Sequence, residues 1–161
     1  MVEVIEEKIK AVQKKMLSLV KSDSDLKGKF DILQSMPGIG ELSALNILAD
    51  LPEIGGLSKG AIASLVGVAP ITQQSGKKQG QSHIRYGRGD LRKVLYMAAL
   101  VACRCNPLMK TFYERLCAKG KPKKVGIIAV LRKMLITLNA MIKGKAQWKN
   151  WEAERAINVA L

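Results

Sequence analysis

The sequence predicts an all-α protein, and three observations support that fold class. Apolar residues recur at helical spacings of three and four along most of the chain. No segment shows the continuous apolar run of a parallel-sheet strand. The 161 residues are 48% hydrophobic, which is enough for one core, and that length favours a single domain with an appendage over a large multidomain enzyme.

The first segment is predicted to be one long helix from about Val2 to Val20. Its apolar residues are separated by four, three, four and three positions, which gives a narrow stripe of coiled-coil type. They are Ile5, Ile9, Val12, Met16 and Leu19. Such a stripe is expected to pack on a partner helix, so we predict a homo-oligomer formed through residues 1–20.

A polar break at Ser22–Gly28 separates this helix from the predicted compact region. The next helix is expected to start at Asp25 or Gly28. We therefore divide the chain into a coiled-coil-like helix and linker at 1–27, a helical domain at 28–145 and a tail at 146–161.

A short turn containing Pro37, Gly38 and Gly40 is followed by an apolar-periodic helix. This pattern predicts helix, tight hairpin, helix. Two glycines allow backbone amides, including that of Ile39, to face one concavity at a helix N-terminus, where a phosphate oxygen binds without regard to base identity. The pattern resembles the helix-hairpin-helix motif of many DNA-binding proteins, and its alternative is a glycine-capped turn with no ligand.

Four further helices and one loop are predicted after the hairpin. Ser58 is a plausible N-cap for a short helix that ends near Gly67, and Asn106 is a plausible N-cap with Pro107 at the first helical position. The loop is polar, glycine-punctuated and basic, so it is expected to be exposed and to carry function. The helix ranges are 58–66, 89–104, 106–119 and 123–143, and the loop is 71–88.

The positive charge is concentrated in one part of the chain. The formal net charge is +14, of which residues 77–124 carry +11, whereas residues 1–76 sum to −1. Such a concentration favours a polyanionic partner, with DNA or RNA expected, over a solvated basic face. Aromatic residues are only 4% of the chain, which argues against a stacking platform for single strands.

The remaining composition indicates a soluble, cytoplasmic protein. The N-terminus is too charged for a signal peptide, and no run approaches the length of a membrane span. Cys103, Cys105 and Cys117 are an odd number and, with His83, lack metal-ligand spacing, so reduced thiols are expected rather than a zinc site. The basic sequence at Lys119–Lys124 is equally consistent with a turn that contacts phosphate and with a solvated linker.

The ordered motifs from about Leu33 to Leu138 resemble the C-terminal domain of transposases of the insertion sequence 110/116/902 family. The hairpin comes first, then a Gly-Val-Ala-Pro stretch where the family has Gly-Leu-x-Pro. Three motifs follow: a Gln-x-Ser-Gly segment, a basic segment with spaced glycines, and a Gly-x-x-x-Leu-Arg sequence at the start of a helix. They occupy Pro37–Gly40, Gly67–Pro70, Gln73–Gly76, Lys77–Tyr86 and Gly87–Arg92.

The resemblance implies that Ser75 is the nucleophile that attacks a DNA phosphodiester and forms a transient serine–DNA link. A serine hydroxyl needs a base or a metal to remove its proton, and cations to stabilise the charge of the transition state. His83 fits a loop hydrogen bond or a phosphate contact better than a catalytic acid or base. The expected DNA contacts are Gly38, Ile39, Gly40, Gly76, Lys77, Lys78, His83, Arg85, Arg88, Arg92 and Lys93.

The resemblance also implies partners that this chain does not supply. Family members carry an acidic, RuvC-like N-terminal domain that binds divalent metal, so Mg²⁺ is expected only in the full-length enzyme. They are also reported to use an RNA to choose sites, and such a guide RNA would share the basic surface. The fragment alone is expected to bind DNA without recombining it.

Parts of the sequence also fit two other functions. Tyr86 lies in the basic loop, but a tyrosine recombinase needs a supporting Arg-His-Arg arrangement that the sequence does not place. The stronger alternative is a non-catalytic helix-hairpin-helix module that binds DNA in repair or as an architectural subunit. Ser75 discriminates between this alternative and the transposase, since only a transposase needs its hydroxyl.

Overall fold

A computed structural model describes residues 2–70, 74–75, 78–79, 84 and 86–149. Within these residues the chain forms seven helices and one two-stranded antiparallel ladder, which agrees with the predicted all-α class. The elements are α1 (Val2–Ser22), α2 (Ser24–Ser35), α3 (Glu41–Asp50), α4 (Lys59–Val66), β1 (Gln74–Ser75), β2 (Lys78–Gln79), α5 (Gly89–Cys105), α6 (Pro107–Ala118) and α7 (Lys123–Lys143).

Helix α7 is the centre of the fold. It packs against α2, α4, α5 and α6, and its inner face, which includes Leu131, Leu135 and Leu138, is almost completely buried. Among the described helices it alone has the length and hydropathy of a membrane span, but its burial is that of the core helix of a soluble bundle. Its predicted bounds, 123–143, are confirmed.

Helix α1 packs against α2 and α3. Val20 is its one buried residue, whereas Ile5, Ile9 and Val12 are each at least 50% exposed. Most of the predicted apolar stripe of this helix is therefore exposed.

Side-chain caps determine where several helices begin. Asp23 accepts the amides of Asp25 and Leu26, so α2 starts at Ser24 and the predicted start at Asp25 or Gly28 is wrong. Ser58 accepts the Ala61 amide, as expected for an N-cap. Asn106 accepts the Met109 amide, and Pro107 follows at the first helical position.

Two polar tethers join distant segments to the core. The buried Asn139 of α7 accepts the Gly55 amide and donates to the Leu57 carbonyl, so it holds the segment between α3 and α4. After α7 the chain turns back, and the Trp148 amide donates to Ser35 Oγ at 2.9 Å. Trp148 itself is 4% exposed, so the first residues of the predicted tail pack into the core.

Candidate nucleic-acid interface

The turn between α2 and α3 packs tightly on α5. Gly38 has φ +106°, and a Cβ built on it would lie 2.7 Å from Ala102 Cβ. The buried side chain of Asn106 donates to the Pro37 carbonyl at 3.3 Å, so the cap of α6 also holds this turn. Gly38 is therefore required for close packing as well as for its backbone conformation.

The amides of this turn differ in their availability. The Ile39 amide, one of the predicted phosphate contacts, donates to the Met36 carbonyl at 3.1 Å within the turn. The Ile39 side chain is buried in the core. Gly40 is exposed and begins α3 without a side-chain cap. The first amides of α3 consequently face solvent at the positive end of the helix dipole, although the carboxylate of Glu41 sits in the same turn.

The two ends of the predicted loop are tied together at its root. Gly67, Tyr86 and Gly87 all have positive φ, between 63° and 79°. Arg92 donates to the Tyr86 carbonyl at 2.7 Å and to the Gly67 carbonyl at 3.3 Å. The Arg88 amide adds a bond to the Leu65 carbonyl. The segment that contains Ser75 therefore leaves and re-enters the bundle at one point.

Arg88 anchors the loop root to the end of α3. Its guanidinium makes two parallel hydrogen bonds to the Glu53 carboxylate, at 2.7 and 2.8 Å, and a third to the Asp50 carbonyl. Hydrogen bonding from Arg88 lowers the pKa of Glu53 to about 2, and the Glu53 carboxylate raises the pKa of Arg88. Glu53 was not singled out in the sequence, because no local signal links it to a residue 35 positions away.

The structure distributes the predicted site residues unevenly. Gly76, Lys77, His83 and Arg85 lie outside the described residues, and for Ser75 and Lys78 only the backbone is described. These two are partners in the short ladder, with Gln74 opposite Gln79. Arg88 and Arg92 hold the loop root. Lys93 is highly exposed, and its ion-pair partner among the described residues, Asp90, is more exposed still.

The hairpin and the loop root lie at different levels of α5. Arg92 is in its first turns, and Ala102, which contacts Gly38, is near its end. Ten residues of α-helix span roughly 15 Å, so the two candidate phosphate contacts are separated by several phosphates of a DNA strand, which recur every ~3.4 Å along a duplex.

The described residues contain no group of three His, Cys, Asp or Glu side chains close enough to hold a metal ion.

Burial, and secondarily the neighbouring Cys117, raises the pKa of the Cys103 thiol. All three cysteines are free thiols. The side chains described here therefore do not form a site for a catalytic divalent metal.

Comparison with known proteins identifies the family. The model of the transposase IS116/IS110/IS902 family matches residues 30–114, which is more than half of the chain. This chain belongs to the IS116/IS110/IS902 transposase family. The matched segment contains the hairpin, the loop root, Ser75 and most of α5 and α6.

Several curated relatives share this part of the transposase family's sequence. The IS900 42 kDa protein of Mycobacterium paratuberculosis is 33% identical over 72% of the chain and 30% of its own length. The pilin gene-inverting protein of Moraxella bovis is 33% identical over 78% of the chain and 40% of its own length. The IS110 43.6 kDa protein of Streptomyces coelicolor is 29% identical over 70% of the chain and 28% of its own length. The transposase-family chain thus spans less than half of these relatives.

Proposed function

We propose that this chain is the DNA-binding and catalytic C-terminal portion of an insertion-sequence transposase that acts in DNA recombination. The observation that carries the proposal is the family match over residues 30–114, because this segment contains Ser75 and the basic loop. The name of the Moraxella relatives, which invert a pilin gene, supports a recombination reaction. A cytoplasmic location follows from a DNA substrate in a bacterial or archaeal cell.

In the proposed reaction Ser75 is the nucleophile. Its Oγ forms a bond to the phosphorus of a DNA phosphodiester, the bond from phosphorus to one deoxyribose oxygen breaks, and that oxygen takes up a proton. The serine proton passes to a base. Attack by a second DNA hydroxyl on the serine phosphodiester reverses these steps and joins new strands, so the energy of the original bond is conserved.

The cations of the loop would stabilise the negative charge on the phosphoryl oxygens of the transition state. Lys77, Lys78 and Arg85 accompany Ser75 in the same segment, and His83 would contact a neighbouring phosphate. Any Mg²⁺ would be bound by the acidic domain of the full-length protein, and no step described for this chain depends on it. Arg88 and Arg92 would act by holding the loop root rigid.

The hairpin would act as a helix-hairpin-helix element. The uncapped start of α3 offers backbone amides to a phosphate, with Gly40 leaving room for the DNA backbone. Because such contacts do not depend on the bases, site choice would come from another element, and a guide RNA on the same basic surface is part of the proposal. Helix α1 would form a coiled coil with a second copy.

The proposal is tested by searching for a covalent intermediate. This domain is joined to a matching acidic N-terminal domain and incubated with Mg²⁺ and a recombination substrate, and the products are denatured before electrophoresis. A protein–DNA adduct that Ser75→Ala abolishes is expected. Salt-sensitive DNA binding without any adduct would instead indicate the non-catalytic DNA-binding module.

A further inference from the structure

A continuous trough runs along the outer face of α7. Three adjoining hollows of about 370, 620 and 410 Å³ form it. The first and second share Ala129 and Arg132, and the second and third share Phe112 and Lys133. The cations that line it, which we call the trough cations, are Lys59, Arg115, Lys124, Arg132 and Lys133.

The charge of the trough is one-sided. Every charged residue described in its lining is a cation, and no carboxylate is among them. Arg132 is partly buried on an apolar face next to Ile128 and Ala129, and within the described part of the chain it forms no ion pair. A partly buried guanidinium on an apolar surface, with no carboxylate lining the same hollow, favours an anion at this position.

Phe112 organises the far end of the trough. The Lys133 ammonium lies 4.4 Å from the centre of its ring, and the Arg115 guanidinium lies 5.4 Å from it. Cations held against an aromatic face lose less freedom when a ligand binds than cations on free stems. Because these two cations already cover the ring, Phe112 acts as their support and is not a platform for a base.

The dimensions suit a nucleic-acid backbone. Lys124 and Arg132 are eight residues apart on one helix, or roughly 12 Å, which corresponds to three or four phosphates of one duplex strand. The apolar floor, formed by residues such as Val125, Ile128 and Ile136, offers no regular array of hydrogen-bonding groups to base edges. Contact would therefore be made to phosphates, without sequence preference.

The position of the trough relates it to Ser75. Val68, Pro70 and Ile84 line its first hollow together with Lys124 and Arg132. These three residues flank, in sequence, the segment that contains Ser75. The first hollow of the trough therefore adjoins both ends of the chain segment that contains Ser75.

We propose that the trough binds the phosphate backbone of the DNA flanking the phosphodiester that Ser75 attacks. This inference rests on the proposed function and adds to it a surface that positions the DNA. In it, Lys124 and Arg132 are the trough cations that would contact the phosphates next to the attacked phosphodiester. The sequence did not indicate this surface, since Lys59, Arg115 and Arg132 lie on three different helices.

The first test measures DNA binding by this chain. Lys124→Gln/Arg132→Gln is compared with Lys10→Gln/Lys14→Gln, which removes two charges from exposed positions on α1. Fluorescence anisotropy with a labelled 30-base-pair DNA duplex is recorded over a series of salt concentrations. The log-log salt dependence of the trough variant is expected to lose roughly 2 units of slope, at about 0.9 per phosphate contact, and the control is expected to keep its slope.

A second variant guards against misfolding. Lys59→Glu places a carboxylate in the first turn of α4, where the helix dipole favours it, so the fold should be retained while the trough is weakened. Equal DNA affinity of this variant, the double trough variant and the α1 control would overturn the proposal. So would a loss confined to an RNA duplex of the same length, because that result would assign the trough to RNA.

The last measurement separates this inference from the proposed reaction. Single methylphosphonate groups, which remove one backbone charge, are placed at successive positions beside the scissile phosphodiester in the adduct assay. In the unmodified protein, substitutions on one flank are expected to reduce adduct formation, and the trough variant should be insensitive to them. If no adduct forms at all but the salt slopes still differ, the trough stands as a DNA surface and the serine mechanism fails. Equal sensitivity of both proteins at every position would overturn the trough.

Discussion

At the scale of single residues, positive-φ positions show where the chain is most constrained. Gly38, Gly67 and Gly87 each lie so close to another backbone or side chain that a Cβ would come within 3 Å of it. Tyr86 has φ 63° although it carries a bulky side chain, and it is 78% exposed. Its conformation is imposed by the bond from Arg92 to its carbonyl and by the neighbouring glycines.

The two glycines of the hairpin should respond differently to the same substitution. Gly38→Ala should lower the free energy of unfolding by about 2 kcal/mol or more, because the new Cβ meets Ala102 and the backbone has positive φ. Gly40→Ala should cost less than about 1 kcal/mol, because nothing lies within 4 Å of the added atom and the loss comes only from alanine being a poorer N-cap than glycine. Urea unfolding of both variants measures the difference, and equal losses would contradict the packing described for Gly38.

Two substitutions at Tyr86 can separate the effect of its backbone conformation on stability from the effect of its ring. Tyr86→Gly and Tyr86→Ala both remove the ring, but only glycine adopts positive φ without a penalty. We therefore expect the glycine variant to be more stable than the alanine variant by about 1 kcal/mol. Thermal unfolding of the two variants, side by side, measures this difference. A more stable alanine variant would show that Tyr86 is not held in the left-handed conformation in solution.

At the scale of elements, the loop root shows how two helices present one segment. Residues 65–67, at the end of α4, meet residues 86–88, just before α5, and Arg88 adds the end of α3 through Glu53. Between these two ends in sequence lies the short β1–β2 ladder. The segment that contains Ser75 is thereby attached to a rigid base on three helices, which is the arrangement expected where a reactive group must be positioned.

The Glu53–Arg88 pair should make stability depend on pH in the acid range. The pKa of Glu53 falls from 4.5 to about 2 on folding, so its contribution is fully present above pH 4.5 and is lost as the pH falls towards 2. The difference in unfolding free energy between the unmodified protein and Glu53→Gln should therefore shrink over this window. Urea unfolding at pH 5, 4, 3 and 2 measures it.

Glu114→Gln provides the matched control, because no ion pair of Glu114 is found among the described residues. A pH dependence of the same form in both variants would mean that the loss reflects general acid effects and that the pair is open in solution.

Helix α1 provides a test of self-association. Replacing the exposed Ile5, Ile9 and Val12 by Gln removes the stripe without touching the core, and Val101→Gln removes an equally exposed apolar side chain from α5. Sedimentation is expected to show a smaller species for the α1 variant only. An unchanged mass for the α1 variant would exclude the coiled coil as the source of association.

At the scale of the whole molecule, charge and packing are separated. The core consists of apolar side chains around α7, whereas most of the excess positive charge is carried by residues 77–124. With a net charge of +14 the protein attracts any nucleic acid at low salt. Association of this kind is governed by the release of counterions.

DNA binding by this chain should therefore weaken steeply with salt and depend little on base sequence. A log-log plot of affinity against salt concentration is expected to be linear, with a slope of roughly −0.9 for each phosphate contacted. Anisotropy titrations with two unrelated duplexes of equal length measure both properties. A tenfold or greater preference for one duplex at physiological salt would show that base edges are read.

The helices could be predicted from the sequence because their signals are local. Helical periodicity, the N-caps at Ser58 and Asn106 and the Gly67 terminator act over three or four residues, so each leaves its pattern in neighbouring positions. The one wrong helix start, at α2, came from overlooking Asp23 as a cap. The family, too, was readable, because its motifs occur in a fixed order along the chain.

The site could be predicted only in part. The hairpin glycines and the basic loop follow from their own residues, but which cations face a ligand does not. In the sequence, Arg88 and Arg92 look the same as arginines that would contact phosphate. In the structure, both form hydrogen bonds that hold the loop root. The trough cations come from three helices, α4, α6 and α7, and no sequence pattern links them.

What the sequence by itself determined is therefore the helical class, most helix ends, the concentration of charge and the family. What only the tertiary structure decided is the partner of each charged side chain and the surface on which it lies. The physical reason is range. Capping and periodicity act along the backbone between near neighbours, whereas an ion pair such as Glu53–Arg88 or the tether from Asn139 to Gly55 joins residues 35 and 84 positions apart. Such contacts exist only after the core has packed.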